Sequence, residues 1–210
     1  MAGIAYPLWT DLKANVVAAL EAVAAEEAAV SAGRNFQVTK DRWRPWIEGQ
    51  QNTALVNVMT QTVDLNDERS GSRRNALDNI RVNVDMYALG KGGDVLPADE
   101  LAALRVDLLA AQVREALTRL NDSDFGFTRE NPAYSAIIAE YGQLIDRDLN
   151  FQLTYYDQEN EQSAGQYAPA RWSFVVRMPF IPNDLRVYND LEELNVTLQE
   201  FALKFDYTSP

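Results

Sequence analysis

The sequence predicts an α+β domain: an antiparallel or mixed sheet with two main helices packed on one face, and long hairpin arms. Three observations predict it. Ile80, Val82, Val84, Met86 and Ala88 alternate with Arg81, Asn83, Asp85 and Tyr87, a strict period of two that marks a strand with one buried and one wetter face. Leu149, Phe151, Leu153 and Tyr155, and later Trp172, Phe174, Val176 and Met178, alternate in the same way on either side of a polar stretch, the pattern of a hairpin. Two long stretches instead carry apolar residues at steps of three and four, the helical period. Helices interleaved with hairpins gather on one side of an antiparallel sheet.

Taken in order, the first helix is expected to be capped by Thr10 or Asp11, with Leu12, Val16, Leu20 and Val23 as its apolar stripe and Glu21 on the polar side. Glu27 interrupts the stripe before Val30 resumes it, which places the last turns nearer the surface, and Gly33 is expected as a left-handed stop. Asn35–Lys40 is a short segment leading to Arg42-Trp43-Arg44-Pro45-Trp46, where Pro45 blocks a regular helix. Ala54–Leu65 reads as a strand with Val56 and Val58 on one face and Leu55, Met59, Val63 and Leu65 on the other, so both faces are expected to be partly covered. The charged run Asn66–Asn79 reads as an exposed loop or a long hairpin tip.

Gly90, Gly92 and Gly93 lead out of the strand Ile80–Leu89. Pro97 suits the first turn of a second helix, and Asp99 and Glu100 suit its positive end. That helix runs to about Leu120 with two apolar rows, Leu101, Leu104 and Leu108 beside Val106, Leu109, Val113, Leu117 and Leu120, which together predict a wide buried arc. Asn121–Asp124 ends it. Tyr134–Ile145 fits a strand or a short helix. Pro179 and Pro182 close the second hairpin, and Val196, Leu198, Phe201, Leu203 and Phe205 predict a final strand or arm over residues 195–207. With no repeat and no Gly-, Ser- or Pro-rich linker, residues 1–210 read as one domain with arms at 66–79 and 157–170.

The composition narrows function by what it lacks. There is no Cys and no His, which removes thiol nucleophiles, disulfides, thiolate metal sites and the Ser-His-Asp and Cys-His arrangements. Carboxylate, Lys, Tyr, Ser and Thr remain, and two carboxylates alone suffice for a glycosidase. No catalytic residue, cofactor site or metal site is assigned. The net charge of −12 argues against gripping nucleic acid through its phosphates and suits a surface that DNA passes without sticking. No segment reads as a membrane span or a signal peptide, so the expected compartment is the cytoplasm of synthesis.

Gly90-Lys91-Gly92-Gly93 lacks both the phosphate-loop and the dinucleotide spacing and is read as a strand-to-helix connection. Asp146 and Asp148, with Asp157 or Glu159, form a possible carboxylate couple or hard-cation site, against the plainer reading of solvated charges at strand ends. Arg42, Trp43, Arg44 and Trp46 are the candidate interface residues, because Arg and Trp dominate contact energies and guanidinium stacks on indole; the alternative is one Trp plugging the core. The two polar hairpin tips are candidate arms onto a neighbour.

The leading Ala-rich helix, the strand Ile80–Leu89, the helix Pro97–Leu120, the hairpin of Leu149–Tyr156 and Arg171–Met178, and a trailing strand together resemble the phage tail-terminator and related neck proteins. The phrase Arg171-Trp172-Ser173-Phe174-Val175-Val176-Arg177-Met178-Pro179-Phe180 looks like the late strand of such proteins. The resemblance implies a virion protein of the tail or neck, assembled in the host cytoplasm. It implies self-association as a ring, hexameric in most of that family, that caps the tail tube and joins it to neck or connector proteins. The resemblance further implies that DNA passes through the centre without sequence-specific binding and that no membrane is involved. A head-completion or stopper protein of the same machine, a carboxylate-only hydrolase and a generic adaptor taking a peptide along a sheet edge stand as alternatives.

Overall fold

The computed structural model describes residues 8–42, 54–65, 77–90, 96–142, 144–145, 150–156 and 167–179. Its elements are α1 (Leu8–Val30), a 3-10 turn (Ala32–Arg34), β1 (Gln37–Lys40), β2 (Ala54–Leu65), β3 (Leu77–Leu89), α2 (Ala98–Asp122), a second 3-10 turn (Asp124–Gly126), α3 (Pro132–Tyr141), β4 (Gln152–Tyr155) and β5 (Tyr167–Pro179). The strands form a single mixed sheet in the order β1-β2-β3-β5-β4, parallel between β1 and β2 and antiparallel elsewhere. The chain is therefore α+β, with α1 lying over β1 and β2 and α2 over β3 and β5.

The predicted alternation decides which side faces the helices. Ile80, Val82, Val84, Met86 and Ala88 of β3, Val56 and Val58 of β2, and Ala170, Trp172, Phe174, Val176 and Met178 of β5 are all buried in the core. They meet Leu12, Val16, Leu20 and Val23 of α1, the stripe read from the sequence, and Val106, Leu109, Val113, Leu117 and Leu120 of α2. Trp172 lies in this core and donates its indole N–H to the Ala110 carbonyl at 3.0 Å, so its polar atom is satisfied without leaving the apolar layer. Phe125 and Phe151 flank Phe174 with ring centroids 5.5 and 5.0 Å away.

Several expectations are corrected. α1 begins at Leu8, so Thr10 and Asp11 sit inside its first turn rather than capping it; Asp11 still complements the helix dipole there. Gly33 is not a left-handed stop but lies within the 3-10 turn, where its N–H meets the Ser31 hydroxyl at 3.4 Å. The short segment Asn35–Lys40, given no element type from the sequence, contains the edge strand β1. Tyr134–Ile145 resolves to the helix α3, started by the Asn131 side chain and Pro132 and stopped at Gly142 with φ 82°. The Leu101–Leu104–Leu108 row does not enter the core: Leu104 is 57% exposed, because α2 meets the sheet through the other row and α1 through Gln112. The strands reach into both expected arms, which start their sheet pairing at Leu77 and Tyr167; residues 66–76, 157–166 and 195–207 lie outside the described residues.

Glu27 turns from an interruption into a connector. Its carboxylate accepts from the Gln112 amide of α2 at 2.8 Å and from the Arg34 guanidinium, while Gln112 also donates to the Arg34 carbonyl at 3.1 Å. The end of α1, the turn after it and the middle of α2 are thereby tied together, and Val30 beyond them is exposed. The hydrogen bond from Gln112 and then the pairing with Arg34 hold the Glu27 carboxyl below its ordinary value. A depressed carboxylate stabilises the fold above its unfolded-state value and loses that contribution as pH falls through the folded one. Glu27→Gln is accordingly expected to flatten the acid limb of stability below about pH 4.5 in chemical denaturation curves, leaving the curve above pH 6 lowered but parallel.

Gly90 marks the closest backbone approach. A Cβ there would lie 1.7 Å from the Ala98 carbonyl oxygen and 2.8 Å from the Ala102 nitrogen, so only glycine lets β3 hand the chain to α2 at this spacing. Gly90→Ala is expected to cost about 3 kcal/mol or more, since backbone rather than a flexible side chain must move. Leu109→Ala should cost about 2–5 kcal/mol and Leu104→Ala about 0.5 kcal/mol or less. Equal losses for the two leucines in urea denaturation would contradict the assigned orientation of α2.

Candidate interaction surface

The face of the sheet opposite the helices carries a polar row that crosses all five strands. Thr39 on β1 lies opposite Asn57 on β2, Asn57 opposite Asp85 on β3, Asp85 opposite Arg171 on β5, and Arg171 opposite Thr154 on β4. Side chains directly opposite in register share a face, so the parity that buries Val56, Val84 and Trp172 beneath the helices sends this row to the other side. On β3 that face was expected to be the wetter one, and there this is corrected, whereas on β2 both faces were expected to be partly covered. Asn57 is 0%, Asp85 5% and Asn83 6% exposed.

Burial of polar groups at these positions is matched by bonding. The Thr39 hydroxyl reaches the Asn57 side-chain oxygen at 3.1 Å and the Val56 carbonyl at 3.2 Å. Asn57 then bonds the backbone of Arg42 twice, accepting from its N–H at 3.2 Å and donating to its carbonyl at 2.9 Å. The amide side chain thus stands in for a strand partner just where the chain leaves β1 through Asp41, whose φ is 54°. Asp85 and Arg171 form a forked ion pair, Nε to Oδ1 and Nη2 to Oδ2, the second at 3.1 Å. The bond to Asp85 raises the Arg171 guanidinium further above its already high ordinary value, so it stays charged. The Tyr156 ring, itself exposed, lies 5.5 Å from the same guanidinium. Toward β4 the face opens to solvent: Thr154, Gln152 and Tyr156 are exposed, as are Val175 on β5 and Arg81 opposite it on β3.

Of the candidate interface residues, Arg42 sits at the rim of this row, half-buried, with its backbone clamped by Asn57 and its Nη1 buried without a hydrogen-bond partner. Trp43, Arg44 and Trp46 lie outside the described residues, as do Asp146, Asp148, Asp157, Glu159 and the Lys91–Gly93 part of the glycine run. Among the described residues no group of three or more acidic side chains is placed to hold a metal ion, and no helix is long and apolar enough to cross a membrane. A cleft of about 320 Å³ lies between the second 3-10 turn and α3, lined by Asp124, Phe127, Thr128, Arg129, Glu130 and Ile138.

Thr39, Asn57, Asp85 and Arg171 were not evident as a set from the sequence. Each carries a weak signal, a polar residue inside a strand, but the set exists only once the register pairs them. Comparison with known proteins found no family model that matches the chain and no curated protein that matches it.

Asp85→Ala is expected to cost about 1–3 kcal/mol in denaturant unfolding, at the low side of a buried pair because the Arg171 side chain is 34% exposed. A double-mutant cycle with Arg171→Ala should return a coupling of about 1 kcal/mol or more, and additive losses would mean that the two side chains do not depend on each other.

Proposed function

We propose that this chain is a structural virion assembly protein, a ring-forming tail terminator that caps the tail tube and joins it to the neck while DNA passes through. The observation that carries this reading is the uneven length of the strands. β2 spans 12 residues but β1 only 4, and their pairing stops at Lys40 opposite Val58. From Met59 to Leu65 the outer backbone edge of β2 has no strand partner among the described residues. An uncovered edge of this kind is a template for a strand from another chain, and its main-chain hydrogen bonds provide affinity without any catalytic group.

Two further features fit the same reading. Tyr156, Arg171, Val175 and Arg81 give the face away from the helices the aromatic and Arg chemistry of a protein contact. The net charge of −12 suits a wall that DNA slides past. In this proposal Arg42 launches the segment in which Trp43 and Trp46 serve as anchors to the neighbour.

Light scattering across a concentration series, with and without tail-tube protein, tests the reading. The expected result is a mass of several protomers, no retention of duplex DNA at physiological salt, and loss of the assembled species when Trp43 and Trp46 are both replaced by Ala with the fold intact. A monomer under every condition, tube included, would end the proposal.

A further inference from the structure

The outward face of α2 carries an apolar row left open to solvent. Leu101, Leu104, Leu108 and Ala111 recur at steps of three, four and three, the seam spacing of a helix that packs on another helix. Leu104 is 57% and Leu108 37% exposed, Ala111 is exposed and Leu101 is half-buried. The next place on the row is Glu115, which pairs with Arg119 and ends it. Charged side chains border the row. Near its middle both are engaged: Asp107 accepts from the Tyr155 hydroxyl at 2.7 Å, and Arg105 donates to the Leu89 carbonyl. Glu100 and Arg114 lie on one side of the row at its opposite ends. Both are exposed, and neither forms an ion pair among the described residues.

We propose that this row docks a second copy of the chain, whose own α2 lies against it antiparallel, about a two-fold axis near Val106. In that alignment Leu104 meets the partner's Leu108 and Leu101 meets the partner's Ala111. Each contact occurs twice, because a two-fold interface uses the same patch on both copies. Glu100 then falls opposite the partner's Arg114 at both ends of the row. A parallel pair would set Glu100 against Glu100 and Arg114 against Arg114, so charge selects the antiparallel alignment. The chain as a whole carries −12, yet Glu100, Arg105, Asp107 and Arg114 are two of each sign, so copies meet here without the repulsion the net charge imposes elsewhere. From Leu101 to Ala111 the seam spans about 15 Å of helix. That length puts the contact at the small end of specific interfaces and makes the dimer concentration-dependent. It uses neither the edge of β2 nor Trp43 and Trp46, so it is independent of the ring reading.

Because the chain has no Cys, introduced cysteines report this geometry directly. The double variant Leu101→Cys/Ala111→Cys should form a disulfide-linked dimer under mild oxidation. Each single variant should stay uncross-linked on a non-reducing gel, since its two copies lie about 15 Å apart along the helix pair. Adding Glu100→Arg to the double variant should cut the cross-linked fraction about tenfold, two attractive pairs having become repulsive, and adding Arg114→Glu as well should restore it. Replacing Trp43 and Trp46 by Ala should leave the cross-link unchanged whatever it does to larger assemblies, which separates this contact from the ring. Cross-linking of the single variants as strong as that of the double variant would overturn the proposal. So would a double variant that fails to cross-link, or one indifferent to the charge exchange.

Discussion

The register of β3 between β2 and β5 is the constraint from which the rest of the structure follows. Because side chains alternate along a strand, this register decides at once what lies under the helices and what lies on the far face. Sliding β3 by one residue would push Val82, Val84 and Met86 away from α1 and α2 and bring Asn83 and Asp85 into the apolar layer. The same slip would separate Asp85 from Arg171 and Asn57 from Asp85. Apolar burial on one side and the polar row on the other therefore select the same alignment, and two independent penalties oppose any alternative.

The helix layer obeys a parallel logic at lower stringency. α1 and α2 share one apolar core with the sheet, through residues such as Val16, Leu20, Val106 and Val113, and Glu27, Gln112 and Arg34 add directed polar contacts between them. A carboxylate in place of a leucine on the α1 stripe thereby contributes a directed contact, and it fixes how far α1 extends before Val30 reaches solvent. On the exposed side, Arg119 bridges Glu26 and Glu115 at 2.9 and 2.6 Å, a solvent-screened addition of little energetic weight.

An assembly role is consistent with how this architecture distributes rigidity. The inner strands are long and backed by two helices, while β1 and β4 are short and, among the described residues, pair with only four residues each of β2 and β5. A sheet edge that stands without a strand partner among the described residues can, in the proposed role, add a strand from a neighbour without rearranging the core. The far face adds a fixed guanidinium and a tyrosine whose positions are set by Asp85 and by the register, so little side-chain freedom is lost on contact.

The division between sequence and tertiary structure follows from the range of the forces involved. Alternation along 80–88 and 172–178, and the three-four spacing of Leu12, Val16, Leu20 and Val23, are local patterns, and they determined the α+β class, the two long helices and the long strands that carry most of the core. Cap positions, the orientation of the Leu104 row, the parallel pairing of β1 and the burial of Asn57 and Asp85 were not legible, since each depends on residues distant in the chain. Leucines at 104 and 108 satisfy a helical pattern whether or not anything packs on them; only the docking angle of α2 leaves them in water. Likewise, Thr39, Asn57, Asp85, Arg171 and Thr154 are separated by 17 to 86 positions where they bond, and strand pairing alone makes them neighbours.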